Sequence, residues 1–446
     1  FSLLLTLSSS TARAKGVFTA HLVTLAEQHT ASYETVKETF DQLDQQKLQD
    51  VLPSYINTDQ INADVNFRGL QMLLSYAENS NDLVMSVPSL NISEVFPGQS
   101  RDESSDLLVD YLKGSGISSV KKIQKELVRV SPTDPVAGNP ASLMGSKVSS
   151  DFAQPMSLNP SEFISTPGGR ELLDAVLNKT PPAENIQDFG SSGNDVSGTT
   201  SSSTPIDSSP PTSSANDSNA NNKNSMTSDS GTQPISNPNM LTTTTSATQQ
   251  GAGSSLGVDL SLARLDLGDA NATTQTVMIE YQNQFEDPLK ILRVKMPLAI
   301  TDTEGAKSYD VDLGIAYSFP LTRSWSLTPG LSYGVGGSED LGGAAAINGY
   351  SLLSSYRFVY ANYLFNVGNM IGHYATGSVS LGDYEIDPGI SNTVYRNGLV
   401  ILKPSLMFNI PTMVQVILID TRYSGDELFT EHYYEVGFAL GLITDD

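Results

Sequence analysis

The sequence predicts a multidomain α and β protein: a small N-terminal helical bundle, a disordered linker and a C-terminal antiparallel β-barrel of eight to ten strands. Three observations predict it. Apolar residues recur at helical spacing within residues 15–130. Residues 190–255 are dominated by Ser, Thr, Asn, Gly, Pro and Asp. Beyond them, apolar and small residues alternate with a period of two through successive segments rich in tyrosine.

The chain begins with Phe1–Leu7, an apolar run too short to span a membrane. Ser8–Thr11 follows, then Ala12-Arg13-Ala14 before Lys15. An apolar core followed by Ala-x-Ala reads as the end of a secretory signal peptide, so 1–14 is assigned to it; a frayed apolar terminus is the alternative. Residues 15–130 form the expected helical domain. His21–Leu48 carries Leu22, Leu25, Ala26, Tyr33, Val36, Phe40 and Leu48, and Pro53 stops it. Thr58–Tyr76 carries Ile61, Val65, Leu70, Leu73 and Leu74 as a second helix. Ser104–Leu112, closed by Gly114 and Gly116, and Ser118–Val130 are the third and fourth. Residues 131–189 read as an extended arm, rich in Pro, Gly, Ser and Asn, with a short helix at Arg170–Leu177. The 190–255 segment cannot bury enough apolar surface to offset ordering entropy and is read as a disordered linker.

Residues 256–446 are the expected barrel. Leu256–Leu267 alternates weakly, as a first strand or a plug segment. Candidate strands follow at Thr276–Phe285, Leu289–Ile300, Ser308–Phe319, Ser324–Gly336, Ala345–Arg357, Phe358–Val367, Ile371–Leu381, Asn397–Phe408, Thr412–Tyr423 and Phe429–Ile443. Pro320–Arg323 is a tight turn, whereas Ser338–Gly343 and Gly382–Asn392 are longer and acidic. In Tyr309–Phe319 the odd positions are Tyr, Val, Leu, Ile, Tyr and Phe, and the even positions are Asp310, Asp312, Gly314, Ala316 and Ser318. A soluble sheet would carry Lys, Glu, Thr and Arg on its polar face. Here that face is mostly Gly, Ala and Ser, which suits the concave inside of a narrow barrel. The aliphatics and tyrosines then face outward, toward lipid.

With the signal peptide, Tyr309–Phe319 and Tyr434–Leu442 resemble the strands of bacterial outer-membrane β-barrel proteins of the small or autotransporter-like kind. The resemblance spans about residues 276–446. It implies residence in the outer membrane of a Gram-negative bacterium, contact with outer-membrane lipid, and a non-enzymatic role in which the barrel anchors the helical domain through the linker. Autotransporter-like surface display or adhesion, and a soluble secreted two-domain binding protein, are the alternatives. The helical domain is the part that would meet a periplasmic or extracellular protein partner. The chain departs from the pattern at its end, Leu442-Ile443-Thr444-Asp445-Asp446, which lacks a terminal aromatic.

Composition narrows the chemistry. The net charge of −24 repels nucleic acid. The absence of cysteine excludes disulfides and thiolate chemistry. Four histidines, His21, His29, His373 and His432, offer little for zinc or triads. Neither Ser351 nor Ser355 lies in a nucleophile elbow, no glycine run opens a phosphate loop, and no cofactor is implied. Two candidate sets remain. Asp383, Glu385 and Asp387 alternate in an acidic loop as a weak divalent-cation motif, without the glycine and terminal Glu of an EF-hand; a solvated loop is the plainer reading. Asp310, Asp312 and Glu435 fall on the inward phase and are read as barrel-lumen residues, with Arg357 or Arg422 as partners.

Overall fold

The computed structural model describes residues 17–42, 44–113, 118–156, 160–178, 243–251, 253–266, 270–287, 289–381, 384–407 and 410–442. The signal-peptide assignment at 1–14 and most of the linker assignment lie outside the described residues.

The N-terminal domain is a β-sheet domain, not a helical bundle. Strands β1 (Phe18–Val23), β2 (Gln28–Tyr33), β3 (Ile61–Phe67), β4 (Leu70–Tyr76), β5 (Leu83–Val87) and β6 (Ile92–Phe96) form one sheet in the order β2-β1-β3-β4-β5-β6. Helices α1 (Val36–Asp41), α2 (Gln45–Val51), α3 (Arg101–Lys113) and α4 (Ser118–Val130) accompany it. The correction has a definite source. In Thr58–Tyr76 the buried apolar residues are Ile61, Ala63, Val65 and Phe67, then Leu70, Met72, Leu74 and Tyr76. That is a period of two on either side of a tight turn. A helical stripe through Val65, Leu70 and Leu73 skips Ala63 and Met72 and counts Leu73, which is exposed. The turn is Arg68-Gly69, with φ of 54° and 98°, the left-handed pair that a two-residue hairpin requires. The expected helix His21–Leu48 likewise starts inside β1, which buries Phe18, Ala20 and Leu22, and only Val36 onward is helical, capped by the Thr35 hydroxyl on the Glu38 N–H. The third and fourth expected helices are present as α3 and α4.

Among the described residues the expected extended arm contains three helices: α5 (Leu143–Met156), α6 (Pro160–Ser165) and α7 (Gly169–Leu177). Only α7 was legible. Gly145, Ser146, Ser149, Ser150 and Pro155 give α5 weak intrinsic helicity, so its helix depends on its surroundings.

The C-terminal part is an antiparallel sheet of eleven strands: β7 (Thr243–Gly251), β8 (Ser254–Asp266), β9 (Asn271–Gln284), β10 (Ile291–Thr303), β11 (Ala306–Pro320), β12 (Trp325–Ser338), β13 (Gly343–Tyr360), β14 (Tyr363–Gly377), β17 (Ser391–Met407), β18 (Ile410–Gly425) and β19 (His432–Leu442). A small hairpin, β15 (Val379–Leu381) and β16 (Tyr384–Ile386), interrupts the series. Each strand of the large sheet pairs with the next in the chain, and the ten from β8 onward curl into a half-barrel. The expected closed barrel of eight to ten strands is therefore corrected to an open sheet: among the described residues β7 and β19 are its two edges. Period-two alternation reports which face a residue is on; closure is a pairing between distant strands that leaves no local signal. The end of the expected linker is also strand, because β7 pairs by its backbone with β8 and has no apolar alternation to betray it. The expected strand at Phe358–Val367 straddles the β13–β14 turn, where Ala361 and Asn362 take φ of 50° and 63° without a glycine.

Two large apolar clusters organise the described residues, beside a small one of Ala263, Leu265 and Ala272. One lies under the N-terminal sheet and takes in Leu341 and Ala306 from the β12–β13 connection and the start of β11. The other surrounds α5 against β13, β14 and β17. The N-terminal domain meets the connections at one end of the curled sheet: Val36 N–H bonds Asp340 O, and Phe429 N–H bonds Val128 O. From that capped end α5 runs along the inner face, and α6 and α7 lie near the β13–β14 turn at the other end.

Candidate functional site: a charged inner face filled by a helix

The two faces of the curled sheet have opposite chemistry. On β11 the outward Val311, Leu313 and Ile315 are exposed, Leu313 at 56%, while the intervening Asp310 and Asp312 are buried. The outward series continues through Leu256, Val258, Leu260 and Leu262 on β8, Leu331 on β12, Leu352 on β13, Ile371 on β14, Leu418 on β18, and Val436, Phe438 and Leu440 on β19. Exposed aromatics accompany this apolar band: Tyr309 and Tyr434 lie toward the capped end and Phe285, Phe319, Trp325, Tyr356, Phe358 and Tyr360 toward the turn end, while Tyr333, Tyr350 and Tyr395 lie within it, paired with Leu313, Leu331 and Ile371. From Tyr309 to Phe319 is ten steps of strand, roughly 33 Å, or about 25 Å at a tilt near 40°.

The inner face is small because it is a set of seats. A Cβ on Gly398 would lie 2.6 Å from Phe152 Cζ of α5. One on Gly368 would collide with the Met156 thioether, and ones on Gly349 and Gly372 with the Tyr374 ring. Gly314 makes room for the Lys295 stem, and Gly336 and Gly334 for the carboxylates of Asp310 and Asp312 across the β11–β12 pair. The glycines thus admit long wall side chains and the helix together.

Ion pairs between helix and wall fix the insertion. Lys147 of α5 binds Asp312. Asp151 takes Lys295 at 2.7 Å and accepts from Ser332 and Tyr374 hydroxyls, each at 2.9 Å. Glu162 of α6 holds Arg293 at 3.1 Å and Arg357 at 2.9 Å. Arg396 pairs with Glu435 and lies 5.3 Å over the Phe152 ring. These groups are buried or nearly so, where each pair is stabilising only with its partner present.

The residues read from sequence fall as follows. Asp310, Asp312 and Glu435 are on the inner face, but their partners differ from those expected. Asp312 binds Lys147, Glu435 binds Arg396, Arg357 belongs to Glu162, and Arg422 faces outward with Asp420 at 3.1 Å. Asp310, 6% exposed, keeps Oδ1 without a hydrogen-bond partner among the described residues. Of the acidic-loop set, Asp383 lies outside the described residues, and of Glu385 only its place on β16 is described. Asp387 is engaged by Lys121 at 2.7 Å. Among the described residues no group of three His, Asp or Glu is arranged to hold a metal ion. The acidic loops instead meet α4, whose Lys121, Lys125 and Arg129 recur every four residues and face Asp387, Asp426 and Glu427. Burial raises the Asp426 carboxyl, but the Lys125 ammonium and the Ser391 N–H outweigh it and hold it below its ordinary value. His432 bonds Asp420 at 2.7 Å on the outer face, and His373 Nε2 lies 3.4 Å from Ser391 Oγ.

Sequence reasoning missed Lys147, Asp151, Glu162, Arg293, Lys295 and Arg396. A signal existed for two: Arg293 and Lys295 occupy the same phase as Ile291 and Ala299, opposite Leu292, Val294 and Leu298. No protein-family model and no curated protein sequence matches the chain.

Proposed function

We propose that this chain is a non-enzymatic outer-membrane protein of a Gram-negative bacterium, in which the curled sheet is the membrane anchor and the N-terminal β domain is carried at its capped end. One observation supports this most: the outward apolar band with its exposed aromatics, backed by a charged inner face. A protein in water buries the first and exposes the second; lipid outside and a filled interior reverse that preference. No helix among the described residues is long and apolar enough to cross a membrane.

The direction of threading favours surface display over a purely periplasmic domain. The longest connection, 378–390, is at the capped end, and short turns such as 321–324 and 361–362 are at the other. In outer-membrane sheets short turns face the periplasm and long loops the exterior. The N-terminal domain would then be outside, with α5 passing inward through the anchor.

Fractionation with sarkosyl tests the anchor: recovery of the chain in the aqueous fraction refutes it. A sharper version uses Leu313→Lys on the outer face. In lipid a mid-band lysine costs about 2–4 kcal/mol and lowers the amount inserted; at an exposed site in water it is neutral. Protease treatment of intact cells tests display, because a periplasmic N-terminal domain is protected and a surface one is digested.

A further inference from the structure

The outer rim of the sheet at its turn end carries a charge opposite to that of the chain. The chain has 49 Asp and Glu against 25 Lys and Arg. No acid occurs in residues 313–338, 341–382 or 388–419, which supply the end of β11, all of β12, β13, β14 and β17, and much of β18. The Lys and Arg residues of these segments are Arg323, Arg357, Arg396 and Lys403. Arg357 and Arg396 are on the inner face, held by Glu162 and Glu435. Arg323, in the β11–β12 turn, and Lys403, near the end of β17, are exposed and form no ion pair among the described residues. The exposed acids of α7, Glu171 and Asp174, belong to the segment on the inner side.

Between these two cations lies a row of aromatic side chains. Trp325 on β12 is paired with Tyr356 on β13 and donates through Nε1 to Ser354 Oγ at 2.9 Å. Tyr356 neighbours Phe358 at 5.9 Å between ring centroids, and Phe358 stacks on Phe365 of β14 at 5.1 Å. Phe365 neighbours Tyr363 at 6.4 Å. Lys403 closes the row, with Nζ 5.0 Å over the Tyr363 ring and 3.4 Å from its hydroxyl. From β12 to β17 is three strand spacings, about 14 Å. Exposed rings of this kind are costly in water and favourable at headgroup level, where the ring meets acyl chain and a hydroxyl meets the polar layer. A lysine stem can lie along such rings with its ammonium in that layer.

We propose that this rim is a binding site for an anionic phospholipid: Lys403 and the Tyr363 hydroxyl take the phosphate oxygens, Arg323 adds a second cation at the far end, and the aromatic row lies against the upper acyl chains. The inference rests on the membrane reading above and adds the class of lipid. A zwitterionic headgroup offsets its phosphate with its own ammonium, whereas an anionic one leaves a net charge for the two cations. Each Lys or Arg near an anionic lipid surface is worth a factor of about five. The acid-free sector leaves that attraction unopposed.

The chain supplies its own probe, because Trp325 is its single tryptophan. The full-length protein, purified in detergent, is reconstituted into vesicles of phosphatidylcholine and phosphatidylglycerol in equal parts. Bromine, which quenches tryptophan on contact, is placed on the acyl chains of one lipid or of the other. Brominated phosphatidylglycerol quenches Trp325 with an apparent affinity about fivefold or more above that of brominated phosphatidylcholine. Lys403→Gln with Arg323→Gln abolishes the preference, Lys403→Arg keeps it, and about 1 M salt weakens it. Inorganic phosphate added to the chain in detergent leaves the Trp325 emission unchanged; a saturable change would assign the site to a free anion and overturn the lipid assignment. Equal quenching by the two lipids, or a preference that survives Lys403→Gln with Arg323→Gln, overturns the site and leaves the anchor standing. Emission that neither brominated lipid quenches, with recovery of the chain in the aqueous fraction, overturns the anchor and the site with it.

Discussion

Gly398 is the position at which the inner face is most directly testable. It lies on β17 between Gly368 of β14 and Ile419 of β18. A Cβ there would be 2.6 Å and 2.8 Å from two atoms of the Phe152 ring. Phe152 is fully buried and stacked under Arg396, so it has little room to retreat. Gly398→Val should therefore destabilise by about 1–3 kcal/mol, the ordinary cost of overpacking. Phe152→Ala should cost about 3–5 kcal/mol through lost burial and a residual cavity. The informative variant combines them. With the ring gone, valine at 398 fills part of the cavity and replaces a glycine that is poor in a strand, a gain of up to about 1 kcal/mol. The effect of Gly398→Val thus changes sign, and the coupling is roughly 2–3 kcal/mol. Urea unfolding followed by circular dichroism gives the four free energies. A single cysteine at Val148, buried on α5, reports by maleimide labelling whether the helix has left. Additive effects would refute the seat, as would a Gly398→Val protein as stable as the parent with Val148→Cys still protected.

Two further predictions concern the N-terminal domain and its attachment. Asp134 accepts from Arg68 at 2.9 Å and from the Val136 and Ala137 N–H groups. Asp134→Ala should cost about 3–5 kcal/mol in urea unfolding, because it strands a buried guanidinium, and Arg68→Met with Asp134→Ala should recover part of that loss. Asp426, held below the ordinary carboxylate value of 3.8, stabilises the α4 contact above that value, and the stability is lost as pH falls through the lower folded value. Asp426→Asn should flatten this acid limb in unfolding measured between about pH 5 and pH 2; an unchanged limb would assign the acid sensitivity to other carboxylates.

Much of this molecule can be read without its structure, and the reason differs by segment. Strands such as β10, β11 and β12 were legible because their two faces differ in chemistry, apolar on one and small or charged on the other, so alternation is strong; the β13–β14 turn, which has no glycine, and the β15–β16 hairpin were not. Helices α3 and α4 were legible because a polar outer face and an apolar inner one recur at 3.6 residues. The hairpin of β3 and β4 was misread where exposed Leu73 and small Ala63 blurred a period of two into something helical. Asp310 and Asp312 were recognisable as inward residues from phase alone. Their partners were not, since Lys147 and Lys295 are separated from them by long stretches of chain or by a neighbouring strand.

The division falls between local periodicity and distant pairing. The amino-acid order by itself determined which residues of each strand share a face, that the outward face is apolar and the inward one small, and that cysteine chemistry is absent. The tertiary structure alone decided that the N-terminal domain is a sheet, that the large sheet is open at β7 and β19, and that the small inward residues are seats for a helix whose own sequence barely favours one. Each of those depends on groups far apart in the chain, and a glycine looks the same in a sequence whether it borders empty space or the ring of Phe152.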